Sequence, residues 1–180
     1  MEKMILYHIF NTKMGWIGIS GRDGRISRLE LPKSDRLKAE AAMKEGKTGE
    51  FVETRLDFTC EAGQLERYFA GERVKFDFEV DISKASTFER KVWQAAREID
   101  YGEVKTYGWV AEKIGQPGAA RAVGQALGRN IIPIIIPCHR VIASDGGIGG
   151  FKSGLDWKVI LLGMELSVIQ EEISISDGIK

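Results

Sequence analysis

Residues 130–142 have the sequence NIIPIIIPCHRVI, in which five isoleucines and two prolines lead to a cysteine and a histidine. Proline removes a backbone donor, so this stretch is neither a regular helix nor a central strand. We predict that it passes in extended form through the core and delivers Cys138 to a fixed place. Pro137 suits the first residue of a short helical turn. Cys138 would then lie near free backbone N–H groups, with His139 and Arg140 beside it.

The pair Cys138-His139 favours nucleophilic chemistry. A cysteine reacts as the thiolate, and a histidine, a cation or a helix N-terminus beside it lowers its pKa. Most Cys-His dipeptides are buried and inert, but the apolar run before this one indicates a reactive group in a dry pocket. Residues 144–154 follow and contain five glycines. Because the backbone of such a loop can close over a planar ligand, we predict that it forms a lid.

Three short helices are predicted before this segment, at residues 87–99, 107–114 and 119–127. Thr87 is the expected N-cap of the first helix and Thr106 that of the second. A tight glycine-containing turn joins the second and third helices, which is the helix-turn-helix outline. That outline is also common in plain helical packing. The third helix favours DNA because it is rich in alanine and glycine, which fill a core poorly but allow close approach to a groove.

Residues 1–85 have a different pattern, with short alternating segments. They predict strands at 4–10, 15–20, 25–31 and 74–80 and helices at 34–44 and 60–69. Cys60, at the start of the second of these helices, is expected to be a small buried residue. Residues 83–87 form a polar joint, after which the chain changes character.

These patterns predict an α+β protein with two domains. A small N-terminal sheet-and-helix domain at 1–85 precedes a mainly helical C-terminal domain at 86–170 and a tail at 171–180. Within the second domain we place a helix-turn-helix at about 106–128, the active-site segment at 130–142 and the lid loop at 144–154. The predicted helix at 155–164 would carry Glu165 at its end.

Composition limits the classes of partner and cofactor. The chain has 26 basic and 26 acidic residues, so net charge alone does not indicate nucleic acid. Residues 101–160 nevertheless carry seven basic against four acidic side chains. Two cysteines and two histidines argue against a disulfide framework or a zinc site, and we expect no metal and no cofactor. With no long apolar run and no signal peptide, we expect a soluble, cytoplasmic protein that does not bind membranes.

Several motifs occur in a fixed order between Phe88 and Glu165. They are Gly102-Glu103-Val104 with Tyr107, ARAVG at 120–124, PCHRV at 137–141 preceded by Asn130 and Pro133, a Gly-Gly-Phe loop at 149–151, and a helix containing Lys158. Together they resemble the signature of the O6-alkylguanine-DNA alkyltransferases, also called methylated-DNA–protein-cysteine methyltransferases. The resemblance covers about half of the chain, and residues 1–85 match only in general shape.

The resemblance implies DNA repair by direct reversal. Each molecule would transfer one alkyl group irreversibly from O6-alkylguanine, or from O4-alkylthymine, to Cys138. His139 would take the thiol proton through a water molecule, and Glu165 would orient the imidazole. Tyr107 would donate to N3 of the departing guanine. Asn130 would hold the turn before the pocket by hydrogen bonding to backbone.

The resemblance also implies a monomer that binds double-stranded DNA through the minor groove, without strong sequence preference. Arg121 would fill the place of the nucleotide that is flipped out of the duplex. Further DNA contacts would come from Thr106, Ala119, Ala120, Ala122, Gly124 and Arg140. The substrate pocket and lid would be formed by Pro133, Val141, Gly149, Phe151, Lys152 and Ser153. The sequence departs from the family at Lys152, where a small hydroxyl residue is usual, and at Ile131, where proline is common.

Three other interpretations remain open at the level of sequence. A non-catalytic alkyltransferase-like protein would flip the lesion but would lack the acceptor cysteine, which this chain has. A cysteine hydrolase would need His139 opposite the thiol and an oxyanion hole, and adjacent residues rarely face each other in that way. A helix-turn-helix transcription regulator would need side chains that recognise base edges on residues 119–127, which are mostly small.

Overall fold

The structure, a computed structural model, describes residues 4–149 and 155–177. The chain divides into two compact units. The first contains the residues up to Lys84 together with Ile131–Pro133, and the second contains the remainder. A four-stranded sheet lies in the first unit and the second is mainly helical, so the predicted α+β class is confirmed. No helix within the described ranges is both long and apolar enough to cross a bilayer.

The sheet of the first unit has the strand order β3-β2-β1-β4. Its antiparallel part consists of β1 (Ile5–Thr12), β2 (Gly15–Arg22) and β3 (Arg25–Lys33). These match the first three predicted strands, because alternation and turn residues are local signals. Asp23 and Gly24 have φ values of 52° and 72°, as the two-residue turn between β2 and β3 requires. β4 (Phe51–Glu53) pairs in parallel with β1 and is too short for its periodicity to predict it.

The two helices of the first unit are α1 (Arg36–Lys44) and α2 (Thr59–Phe69), the latter preceded by a 3-10 turn at Leu56–Phe58. Asp35 caps α1 by accepting a bond from the Lys38 backbone N–H. Cys60 is exposed, so its predicted burial is wrong. The buried face of α2 contains Leu65 and Phe69, and the helical period turns Cys60 away from it.

Residues 74–80 do not form the predicted strand. Their side chains do alternate between more and less buried positions, as the sequence indicates. The backbone, however, makes only one bridge, between Ile26 and Val80. The Ile26 N–H donates to the Glu79 carbonyl at 3.1 Å, and the Asp81 N–H donates to the Ile26 carbonyl at 2.8 Å. Alternating burial therefore arises here from an extended segment without a ladder of hydrogen bonds.

The second unit contains α3 (Thr87–Arg97), α4 (Tyr107–Lys113), α5 (Ala120–Gly128) and α6 (Leu155–Asp177). Ser86, and not Thr87 as predicted, is the N-cap of α3, because it forms a reciprocal capping box with Glu89. Thr106 caps α4 as predicted, accepting a bond from the Trp109 backbone N–H. The Trp93 indole N–H donates to the Ala126 carbonyl at 2.9 Å and so joins α3 to α5.

α6 is longer than the predicted helix at 155–164 and includes residues 171–177, which the sequence pattern assigns to a tail. Glu165 therefore lies inside the helix and not at its end. A two-stranded parallel pair, β5 (Lys105–Thr106) and β6 (Val141–Ile142), connects the start of α4 to the segment after Cys138.

The segment at 130–142 is not extended throughout, so that prediction is wrong. The Leu29 N–H donates to the Ile131 carbonyl at 3.0 Å, within the first unit. The chain then turns at Ile134, whose φ is 74°. A β-branched residue rarely adopts this conformation, which costs on the order of 1–3 kcal/mol. Packing in the core holds the turn, because Ile132, Ile134 and Ile136 are each at most 1% exposed.

Candidate active site

Cys138 is held by two tight turns. Pro137 has φ −80° and ψ 60°, and the Cys138 N–H donates to the Ile136 carbonyl at 2.8 Å, which is an inverse γ-turn. A 3-10 helix follows at Cys138–Arg140, so the short helical turn predicted around Pro137 is present. Cys138 is only 5% exposed, and the backbone fixes where its sulfur lies.

Asn130 ties the thiol to the turn. Its side-chain amide donates to the Ile136 carbonyl at 2.9 Å and to the Cys138 Sγ at 3.1 Å. Burial raises the pKa of the Cys138 thiol to about 11, although the bond from Asn130 and the charge of Lys158 act in the opposite direction. The predicted lowering of this pKa by neighbouring groups is therefore outweighed by desolvation. In the free protein the sulfur is a protonated thiol at neutral pH.

A buried cluster of charged groups lies next to the cysteine. Glu165 is fully buried and accepts hydrogen bonds from His139 Nε2 at 2.9 Å and from the Arg140 guanidinium at 2.8 and 2.9 Å. It also accepts a bond from the Gly102 N–H at 3.1 Å. Burial alone would raise the pKa of Glu165, but the bonds from His139 and Arg140 outweigh it and hold this pKa well below its usual range.

Arg140 is part of this buried cluster. Its side chain is 8% exposed, and it donates a third bond to the Ile99 carbonyl at 2.8 Å. The guanidinium also lies 5.6 Å from the ring centre of Tyr101. This placement is at odds with the predicted contact to DNA, because all of these bonds would have to break before Arg140 reached a phosphate. We assign Arg140 to holding Glu165.

His139 is fully buried and neutral. Burial lowers its pKa, although the bond to Glu165 acts in the opposite direction. With Nε2–H donating to Glu165, the other nitrogen, Nδ1, carries the lone pair. That atom has no hydrogen-bond partner within the described part of the chain. The imidazole is thus oriented by a carboxylate on one side and can accept a proton on the other.

Lys158 is a site residue that the assignment of catalytic positions from sequence did not include. It is fully buried in α6, and its ammonium donates to the Val141 carbonyl at 2.6 Å and to the Tyr107 hydroxyl at 3.4 Å. Burial lowers its pKa to about 8, and Cys138 acts in the opposite direction. The signal that could have found it is spacing, because Lys158, Leu161 and Glu165 recur on one face of a helix.

An open pocket of about 580 Å³ lies at the helix-turn-helix. Its lining residues are Tyr107, Gly108, Ala120, Arg121, Gly124, Gln125, Ala143 and Ser144. Four predicted site residues therefore meet here, from the start of α4 and from α5. Ala119 is the N-cap of α5, Ala122 is half-buried in it, and neither is among the lining residues. Cys138 is not among them either, and it is only 5% exposed.

Two glycines of the predicted site lie next to Tyr107, and the backbone at Gly149 approaches it more closely than a side chain would allow. A Cβ at Gly124 would be 3.6 Å from the tyrosine ring, and one at Gly149 would be 2.6 Å from its hydroxyl. The φ of Gly149 is 69°, so a side chain there would also strain the backbone. Both positions were predicted as site residues. Gly149 leaves room for the hydroxyl, whereas a Cβ at Gly124 would make an ordinary contact with the tyrosine ring.

The structure describes some of the remaining predicted pocket residues and not others. Pro133 and Val141 are buried, and Pro133 groups with the first unit. Val141 is 0% exposed and contributes its carbonyl to Lys158. Phe151, Lys152 and Ser153 lie outside the described residues. No group of three or more His, Cys, Asp or Glu side chains within 4–149 and 155–177 is arranged to hold a metal.

Family models match both halves of the chain. Residues 5–82 match the ribonuclease-like domain of 6-O-methylguanine DNA methyltransferase. Residues 87–167 match the DNA-binding domain of the same family.

Similar proteins cover nearly the whole chain. A methylated-DNA–protein-cysteine methyltransferase from Mycolicibacterium paratuberculosis is 41% identical over 162 residues, which is 90% of this chain and 93% of the relative. One from Methanosarcina acetivorans is 41% identical over 88% of this chain and 97% of its own. A crystal structure of Mycobacterium tuberculosis OGT in complex with DNA superposes with a TM-score of 0.77 at 35% identity, covering 91% of this chain and 94% of that one.

Proposed function

The chain belongs to the 6-O-methylguanine DNA methyltransferase family, and from this premise we propose that Cys138 is its alkyl acceptor. A member of this family repairs DNA by direct reversal, moving the alkyl group from the base to one of its own cysteines. The observation that supports Cys138 is its setting. Asn130 donates to its sulfur at 3.1 Å, whereas Cys60 is exposed on α2.

The proton of the thiol needs an acceptor, because burial holds the pKa of Cys138 at about 11. We assign this role to His139 Nδ1, reached through one water molecule, with Glu165 keeping the imidazole oriented and stabilising its charged form. The thiolate attacks the alkyl carbon, so that the S–C bond forms while the bond from that carbon to O6 breaks. The electron pair of the broken bond goes to the guanine, whose O6 becomes a carbonyl oxygen.

The leaving guanine is stabilised by a proton or a hydrogen bond at N3, and we assign this to the Tyr107 hydroxyl. This hydroxyl accepts a bond from Lys158 at 3.4 Å and borders the open pocket. The nearby ammonium favours release of the tyrosine proton, because it stabilises the negative charge that develops on the oxygen. Lys158 is thus a positioning residue that acts through Tyr107.

O6 of a stacked guanine cannot reach a thiol that is only 5% exposed, so the nucleotide must leave the duplex. We propose that α5 enters the minor groove, with Arg121 in the place of the flipped nucleotide. Ala120 and Gly124 on the wall of the pocket permit close approach of the DNA. The same open pocket would also admit O4-alkylthymine, and the protein would act as a monomer.

The decisive experiment is mass spectrometry after mixing the protein with duplex DNA that carries O6-methylguanine. We expect a gain of one methyl group on the Cys138 peptide and none on the Cys60 peptide. Because water does not hydrolyse the thioether formed on Cys138, each protein molecule should repair only one lesion. Cys138→Ala should abolish transfer and still bind DNA, and Cys60→Ala is the matched control that should react like the unaltered protein. Methyl on Cys60, or continued turnover, would contradict the assignment.

A further inference from the structure

Two long polar side chains project from α5, and the proposed mechanism uses only one of them. All other residues of Ala120–Gly128 are small or aliphatic. Arg121 and Gln125 lie four residues apart, which places them on the same face of the helix, and both line the open pocket beside Tyr107. Gln125 is exposed, so its amide can meet a ligand that enters this pocket.

We propose that Gln125 recognises the minor-groove edge of a base pair close to the flipped nucleotide and thereby makes repair depend on the neighbouring sequence. The proposal rests on the proposed function, in which α5 enters the minor groove with Arg121 at the vacated position. Four residues of helix span about 6 Å, whereas base pairs are about 3.4 Å apart. Gln125 therefore reaches the first or the second pair beside the lesion.

The chemistry of the amide suits bases better than phosphates. A neutral amide is attracted only weakly by the negative phosphates of the DNA backbone, but it offers both a hydrogen-bond donor and an acceptor. The minor-groove edge of an A·T pair has acceptors only, and a G·C pair adds the N2 amino group of guanine as a donor. Only a G·C pair can satisfy both ends of the Gln125 amide. A G·C neighbour should therefore be repaired faster than an A·T neighbour.

The test uses base analogues that add or remove the amino group in the minor groove. Inosine·C lacks the N2 amino group of G·C, and 2,6-diaminopurine·T adds one to A·T, so each pair of substrates differs in the minor groove by this group. Single-turnover repair of O6-methylguanine is measured in duplexes with these four pairs at the first or second position on either side. For the unaltered protein we expect the amino group to speed repair about fivefold at one of these positions, as one additional hydrogen bond allows.

Two variants complete the design. Gln125→Leu keeps a side chain of similar bulk and helix propensity but cannot form these bonds, and the effect of the amino group should vanish in this variant. Gln94→Ala, at an exposed glutamine of α3 that does not line the pocket, is the matched control and should keep the effect. The rate with free O6-benzylguanine is also measured for each variant. Dividing the duplex repair rate by this rate corrects for any general loss of reactivity.

The outcomes separate this proposal from the proposed function. If Cys138 is alkylated but its rate is indifferent to the amino group at all four positions, the role of Gln125 is wrong and the repair function stands. The same conclusion follows if Gln125→Leu retains the full effect. If no alkyl group reaches Cys138 from any duplex, the proposed function itself fails.

Discussion

Two regions of the second unit differ in how they hold charge. In the buried cluster, His139 and Arg140 both bond to Glu165, and the three side chains are at most 8% exposed. On the open pocket, Arg121 and Gln125 are exposed beside small residues, on a helix that buries only its other face. Because the first region buries its charges, removal of one partner should destabilise the fold. The residues of the second region can be substituted with little effect on folding, and they matter for the ligand that they contact.

The largest effect is expected from breaking the buried cluster. Glu165→Ala leaves the Arg140 guanidinium buried without its carboxylate, which should reduce the free energy of unfolding by about 3–5 kcal/mol. Urea unfolding at pH 7 measures this. Glu171→Ala, at an exposed position of the same helix, is the control and should change stability by less than about 0.5 kcal/mol. Equal effects of both variants would contradict the contrast between the two regions.

The same cluster predicts a pH dependence. The pKa of Glu165 is lower in the folded protein than its ordinary value of 4.5, so the unfolded chain binds the proton more readily. The stabilisation is therefore complete above pH 4.5 and decreases as the pH falls toward the folded pKa. Glu165→Gln has no proton to gain, so its stability should fall less steeply below pH 4.5 than that of the unaltered protein. If the stability of the two proteins fell equally steeply as the pH decreased, Glu165 would not titrate in this way.

On the open pocket, Arg121→Ala should affect DNA repair but not folding. Flipping costs a few kcal/mol, and loss of the side chain that offsets it should slow repair in duplex DNA by roughly 10- to 100-fold. The loss with free O6-benzylguanine should be much smaller, since a free base needs no flipping. Tyr107→Phe should instead slow both substrates. Equal losses for duplex and free base in Arg121→Ala would count against the role in extrusion.

A smaller effect should follow the reaction itself. An alkyl group on the Cys138 sulfur enters a nearly closed space and disturbs the bond from Asn130, and overpacking of this kind costs about 1–3 kcal/mol. We expect the alkylated protein to melt lower, with benzyl worse than methyl, and to be digested faster by protease. Carboxamidomethylation of exposed Cys60 in the Cys138→Ala variant is the control and should leave the melting temperature unchanged. An unchanged or higher melting temperature for both adducts would show that the protein holds the alkyl group without strain.

No effect is expected from metal removal. Cys60 is exposed on α2, and the Nε2 of His139 is bonded to Glu165, so these residues are poorly arranged as ligands of one ion. Activity and melting temperature should be the same before and after exhaustive chelation. A fall in melting temperature that zinc reverses would overturn this expectation.

Sequence patterns predicted the helices that carry the open pocket, whereas the roles of single pocket residues, like the pairing of His139 with Glu165, came from the family resemblance. Arg121, Gly124 and Tyr107 lie in short helices with strong local signals, namely a threonine cap and glycine stops. In contrast, the family resemblance led us to expect a DNA contact from Arg140, and the structure buries Arg140 against Glu165. Nothing local shows that its partner is a glutamate 25 residues later in the chain. Lys158 was given no role, although helical spacing places it on the same face of α6 as Glu165, because its contacts to Val141 and Tyr107 are long-range.

The sequence by itself determined the α+β class, the first three strands of the sheet, the helix-turn-helix and the short helical turn that follows Pro137 and begins with Cys138. These features follow from periodicity, caps and backbone restrictions that act over a few residues. Only the tertiary structure decided which charges are buried together, that Ile134 adopts a positive φ, and that desolvation raises the pKa of Cys138. Burial is a property of the packed chain, and the electrostatic effect of a group depends on the neighbours that packing brings to it.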